Sequence, residues 1–184
     1  MRIKMRSVMR ATAVLAATAV LGLTSLNVAM AKPPEVAQRI DAPAPLGAAE
    51  GKVLFVSLFD AELWTEGRSA FDWNAPFALS LTYRQNFSAG MILWATVSEI
   101  ERMSGRSSAE LGDLEAKLGA CLPAVRQGDR ITGFPRGADR VDFTLNGNAI
   151  CSVWHPDLTR LFFSIWLDPR ARDPEGAARL RGVS

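Results

Sequence analysis

The chain has 184 residues, 48 % of them hydrophobic, and a formal charge of +2 at neutral pH. Its first 31 residues hold Arg2, Lys4, Arg6 and Arg10 and no acidic residue, so the other 153 carry 17 basic against 19 acidic groups, a net of −2. That balance, with no Lys/Arg cluster, argues against a nucleic-acid partner and against binding to an anionic membrane surface, and 153 residues suit one domain.

The leading basic residues precede an apolar run over 11–23 and then Ala29-Met30-Ala31, the order of a secretory signal peptide with an A-x-A cleavage site. Cleavage is expected before Lys32. The run is shorter than the roughly 20 apolar residues a membrane-spanning helix needs, so no transmembrane anchor is expected after cleavage and the protein is expected in the periplasm. Residues 32–45, with Pro33, Pro34, Pro43 and Pro45, predict an extended lead-in, and residues 46–184 the folded domain.

Within the domain, residues 52–59 are dense in Val, Leu and Phe between Gly51 and Asp60, which predicts a strand buried on both faces that Glu62-Leu63-Trp64 continues past a bend. After a polar turn over 65–74, Phe77, Leu79, Leu81 and Tyr83 alternate with Ala78, Ser80, Thr82 and Arg84, the clearest two-faced strand. Ser88 is placed to cap a helix through about Met103 whose apolar stripe is Met91, Trp94, Ala95, Val97 and Ile100. Ser107 and Glu110 have capping-box spacing and open a second helix, with Leu111, Leu114, Leu118 and Cys121 inward. A short strand over 130–134 follows. Residues 141–153 read as a hairpin around Asn146-Gly147, and Asp157 is placed to cap a helix carrying Leu158, Leu161, Phe162, Ile165 and Trp166 that Pro169 closes. A last helix starts at Pro174 and frays near Gly182. Strands outnumber helices and the helices cluster, which argues α+β: an antiparallel β-sheet with helices packed against it.

Catalytic signals are sparse. His155, the single histidine, precedes Pro156 at a helix entrance and reads as a surface or capping residue rather than a general base. One His and two separated Cys do not make a zinc set, and the Gly133–Gly137 turn lacks the spacing of a phosphate loop, so neither metal nor cofactor is expected. Asp60 and Glu62 read as wet carboxylates at a strand bend. Tyr83 and Arg84 are the most suggestive polar pair, suited to a carboxylate or phenolate, although successive strand residues face opposite ways. Cys121 and Cys151 form either one disulfide, as an oxidising compartment would favour, or two buried thiols.

Several blocks of the sequence resemble the bacterial exported chalcone isomerase-like proteins: Phe59-Asp60-Ala61-Glu62-Leu63-Trp64, the strand to Tyr83-Arg84 with Phe87-Ser88, Gly128-Asp129-Arg130, Phe143-Thr144-Leu145-Asn146-Gly147, and Leu161-Phe162-Phe163-Ser164-Ile165-Trp166-Leu167. The resemblance spans residues 46–180 and implies a chalcone isomerase-like open-faced sandwich, a large antiparallel sheet covered on one face by helices with a cleft between. It also implies that isomerase chemistry is missing. The chain has Gly51 and Lys52 where the enzymes of that family place an arginine, and Phe87 near the position of their catalytic tyrosine.

The resemblance extends to fatty-acid-binding relatives, so the expected function is a non-catalytic protein holding a fatty acid or other apolar small molecule. The expected ligand-contacting residues are Phe77, Leu79, Leu81, Tyr83, Arg84, Phe87, Met91 and Trp94. Two alternatives stand beside it. One is an isomerase or lyase acting on a lipid-like or phenolic substrate through Lys52, Tyr83 or Arg84; the other is a scaffold with a solid interior and no ligand.

Overall fold

The computed structural model describes residues 32–53 and 56–183; the expected signal peptide lies outside them. In chain order the elements are α1 (Pro34–Ala37), β1 (Ala44–Val53), β2 (Val56–Thr65), β3 (Phe77–Tyr83), α2 (Ala89–Ser104), α3 (Ser108–Cys121), β4 (Arg130–Pro135), β5 (Arg140–Leu145), β6 (Asn148–Trp154), α4 (Leu158–Leu167) and α5 (Pro174–Leu180). The six strands form one sheet in the order β1-β2-β3-β4-β5-β6, and every neighbouring pair is antiparallel. The fold is therefore the expected α+β open-faced sandwich.

Alternation along each strand sorts the sheet into two faces. Leu63, Leu79, Ile131, Val141 and Phe143 point to the side covered by α2–α5 and join its core. That core is densest under α4, where Phe163 meets Phe77 edge-on at 5.0 Å and Phe162 meets Phe143 at 5.1 Å. Ile100, Leu111, Leu114 and Leu118 close it from α2 and α3, each almost wholly buried.

The local signals behave as the sequence predicts at most ends. Ser88 Oγ accepts the Met91 N–H at 3.2 Å, and Gly105 ends α2 at φ 71°. The Ser107 N–H donates to Glu110 Oε2 at 2.8 Å, closing the capping box of α3. Asn146 and Gly147 both take positive φ, 51° and 87°, as a two-residue hairpin turn between twisted strands requires. Asp157 does not cap α4 with its side chain. It sits at φ 62°, donates its own N–H to Asp139 Oδ1 at 2.9 Å and faces Arg106 at 3.5 Å.

The N-terminal third departs from expectation. The strand predicted over 52–59 is the meeting of two strands, with β1 ending at Val53, β2 beginning at Val56, and those two residues paired. No Gly, Pro or Asn marks the reversal, so the apolar run hides it. β1 itself is a Gly- and Ala-rich edge strand. Its Gly47 is required by close approach, because a Cβ there would collide with the backbone carbonyls of Arg179 and Leu180 at the end of α5.

The lead-in is not extended throughout: α1 is one helical turn lying on the opposite face of the sheet. Val36 and Ile40 pack with Trp64, Ala78 and Phe134 there, and Arg39 stacks over the Phe134 ring at 4.8 Å. Between them runs a buried polar row. Ser80 Oγ and Thr132 Oγ1 are 3.0 Å apart, the Thr132 hydroxyl donates to Glu35 Oε1 at 3.1 Å, and Arg130 grips both Glu35 oxygens at 2.8 and 3.0 Å. Proline composition argued for an extended chain; apolar residues at positions 36 and 40 and a carboxylate at 35 give this turn a surface to fold against.

Glu35 is only 1 % exposed. Burial by itself raises its pKa, and the Arg130 and Thr132 hydrogen bonds with the Arg130 charge outweigh that and hold the carboxyl below its ordinary range. The stability it contributes is thus present in full above the ordinary glutamate range and is lost as pH falls through the depressed folded value. Removing Arg130 leaves a buried carboxylate unpaired, so Arg130→Met should cost about 3 kcal/mol at neutral pH. The gap from wild type should narrow at acid pH, where Glu35 takes up a proton; urea midpoints at pH 7 and pH 4 measure both.

Cys121 at the end of α3 and Cys151 in β6 form a disulfide, with Cα atoms 5.6 Å apart and a sequence separation of 30. A loop of that length predicts stabilisation on the order of 3 kcal/mol. Urea unfolding of Cys121→Ala/Cys151→Ala should show a loss of that size, with dithiothreitol producing the same loss in wild type and none in the double variant.

Candidate functional site

The layer between sheet and helices is not filled evenly. Under α4 it is occupied by phenylalanines, whereas toward β1 and β2 the facing residues are small: Ala49, Gly51 and Ala61 on the sheet, Ala95 on α2, and Ala171 and Ala177 at and before α5. Small residues bring α5 directly onto β1, α2 stands off from that end of the sheet, and the space left beside them is a cleft of about 620 Å³. Its floor is Phe59, Leu81 and Tyr83. Met91, Ile92 and Thr96 of α2 form one wall, with Ile165, Trp166 and Leu180 opposite.

Most of the expected site residues meet here. Leu81, Tyr83, Phe87, Met91 and Trp94 line the cleft, and so does Lys52. Phe77 and Leu79 do not. They lie farther along β3 in the solid core, where Phe77 packs edge-on against Phe71 at 5.2 Å as well as Phe163. Arg84 is also outside the lining, because the alternation that turns Tyr83 inward turns its neighbour away; its guanidinium grips Asp60 at 2.9–3.1 Å in an exposed pair. Met91 and Trp94 were expected in the inward stripe of α2. They are 53 % and 70 % exposed, and Ala95 is exposed too; of the expected stripe Val97 and Ile100 are buried, with Ile92 joining them.

Phe59, Ala95, Trp166, Glu99 and Arg172 line the cleft without having been among the ligand-contacting residues expected from the sequence. The available signal was the run of small residues on β1 and β2, which gains meaning only once those strands are paired and α2 and α5 lie over them. Phe59 illustrates the dependence. Its ring covers Gly51 directly across the ladder, where a Cβ would collide with it.

The charged groups are confined to the rim and are matched. Lys52 Nζ lies 2.6 Å from Glu50 Oε2, and Lys52, with Ser57, holds the Glu50 carboxyl below its ordinary range. Burial raises the Glu99 pKa, but hydrogen bonds from Arg172 and Arg102 outweigh it and keep the group lowered and ionised. Arg102 Nε is 2.9 Å from Glu99 Oε2, and the Arg172 guanidinium contacts the other oxygen. Asp173 accepts the Gly176 N–H at 2.8 Å at the start of α5.

Deeper in, Tyr83 is 7 % exposed, edge-on to Phe87 at 5.8 Å and to Phe59 at 6.3 Å. Burial pushes its hydroxyl up to about 12, so it is a neutral phenol at physiological pH. His155 does not line the cleft; it is buried with Nδ1 3.4 Å from Asp113 Oδ2, which Lys117 also holds at 2.6 Å. Among the described residues no cluster of three His, Cys, Asp or Glu side chains is placed to hold a metal ion, and no helix is long and apolar enough to cross a membrane. The site is thus an apolar cavity with Tyr83 and Thr96 as its buried hydroxyl-bearing residues and a rim of ion pairs.

No protein-family model and no curated protein matches the chain. Among solved structures, the crystal structure of a fatty-acid-binding protein from Arabidopsis thaliana superposes with a TM-score of 0.57 over 77 % of this chain and 88 % of that one, at 9 % identity. That likeness shows the shared chalcone isomerase-like fold.

Tyr83 is the only tyrosine in the chain, so its ionisation is directly observable. Absorbance at 295 nm in a pH-jump experiment should develop at about pH 12, above the ordinary phenol range, and return to that range once the protein is unfolded in urea.

Proposed function

We propose that this is an exported, non-catalytic protein that holds an apolar small molecule of the acyl-chain class in the cleft between β1–β3 and α2/α5. The observation that carries the reading is the cleft itself: about 620 Å³, within the range of small-molecule sites, walled by aromatic and aliphatic groups. Each methylene moved from water into such a site contributes about 0.8 kcal/mol, so an acyl chain needs few polar contacts to bind. A solved structure of the same fold belonging to a fatty-acid-binding protein supports this class of ligand. Export is supported by the signal-peptide pattern of residues 1–31 and by the Cys121–Cys151 bridge, which suits an oxidising compartment such as the periplasm.

The isomerase alternative has less to stand on. Of its three candidate groups, Arg84 faces away from the cleft, Lys52 is an exposed partner of Glu50, and Tyr83 is too weak an acid to act as a phenolate base near neutral pH. The scaffold reading requires a solid interior, which this end of the molecule does not have.

Native mass spectrometry of protein purified from the periplasm, with solvent extraction of whatever is bound, tests the proposal. A stoichiometric lipid adduct is expected; protein that is empty and whose melting temperature no lipid shifts would overturn the binding reading. Ala95 is exposed on the cleft side of α2, so Ala95→Trp should fill the cavity without unfolding the protein. That variant should lose the adduct, at least tenfold in affinity or ~1.4 kcal/mol, while its circular dichroism is unchanged.

A further inference from the structure

The charge arrangement around the cleft says what kind of head group fits. Five charged residues line it: Glu50, Glu99 and Asp173 against Lys52 and Arg172. Acids outnumber bases, and each base is already engaged by a carboxylate of the same rim, Lys52 by Glu50 and Arg172 by Glu99. Arg102 also spends its charge on Glu99. An incoming carboxylate would meet no uncommitted cation there. To use one it would have to share it with Glu99 or Glu50 and sit against that carboxylate, a like-charge contact at the cleft rim.

The interior offers a different partner. Tyr83 lies on the cleft floor, and burial is the one influence shifting its ionisation; no hydrogen bond or charge from the described residues acts on it. A phenol O–H in that position is a donor awaiting an acceptor. Thr96, 8 % exposed on the facing wall, adds a second hydroxyl. Both are uncharged. One or two neutral donors satisfy a carbonyl oxygen but do not compensate the desolvation of a full negative charge.

We propose that the cleft selects a neutral lipid, one whose polar group is an uncharged acceptor such as an ester or ketone carbonyl placed at Tyr83, over an ionised fatty acid of the same chain length. The inference rests on the ligand-binding reading above and narrows its ligand class.

Direct binding of radiolabelled methyl dodecanoate and dodecanoate, measured by ultrafiltration at pH 7.5, separates the two levels. The ester should bind about tenfold or more tightly than the acid, a difference of ~1.4 kcal/mol. Tyr83→Phe should weaken the ester several-fold. Glu99→Gln, which releases Arg172 and Arg102, should shrink the ester-to-acid ratio toward one. An acid that binds wild type as tightly as the ester, or a ratio that Glu99→Gln leaves unchanged, would overturn the neutral-ligand inference while leaving the binding function standing. Retention of neither compound would overturn the binding reading and this inference together.

Discussion

The distribution of side-chain volume between the sheet and the helices governs this structure. An antiparallel sheet covered on one face needs a continuous apolar layer about one side chain deep, and here that layer is built from two unequal materials. Phenylalanine and leucine from β3–β5, α3 and α4 interlock over half of the sheet. Over the rest, alanine and glycine let α5 lie directly on β1, with Gly176 beside Ala49, while α2 stands off from that end of the sheet. The close packing under α4 fixes where α2 runs, and the space between α2 and α5 over β1–β3 stays open. The cleft is therefore supported by neighbouring close packing and needs no special loop or cofactor.

The other face of the sheet solves a separate problem. An uncovered sheet would leave Trp64, Ala78 and Phe134 in water, and a single turn of helix with its following residues covers them. Because the row beneath is polar, the covering segment brings a carboxylate, and Glu35 ties the N-terminal segment to β4 through Arg130 and Thr132. The two Glu35 oxygens are fully engaged, while the nearby Thr144 hydroxyl and the Trp64 indole N–H have no partner among the described residues. The covering is thus specific at one point and loosely matched elsewhere.

What could be read in the sequence follows from the range of the interaction behind each feature. The alternation over 77–83, the Ser88 and Ser107 caps, the Asn146-Gly147 turn and the stripe of α4 are all set within a few residues, and each is visible in the string. β1 was hidden because an edge strand of Ala, Gly and Pro owes its conformation to β2 and α5 rather than to its own propensity. The reversal between Val53 and Val56 was hidden for a related reason: no residue there has a turn preference, and the pairing of the flanking strands imposes it. The cleft was half legible. Tyr83, Phe87 and Met91 could be placed near the strand-to-helix junction, but whether the space beside them is full depends on Ala61, Ala95 and Ala177, residues that carry no signal of a binding site on their own. Arg84 shows the limit from the other side, since chemistry suggested a ligand contact and strand geometry assigned it to Asp60.

The Cys121–Cys151 bridge has a consequence for how the molecule matures. The chain contains two cysteines, so within one chain a single pairing exists and there is no wrong disulfide to be undone. Thiol–disulfide reshuffling, the slow step for many bridged proteins, has nothing to reshuffle. Oxidative folding reduces to one encounter between the end of α3 and the edge of the sheet. Maturation then depends on an oxidant to accept two electrons, and a disulfide isomerase is dispensable.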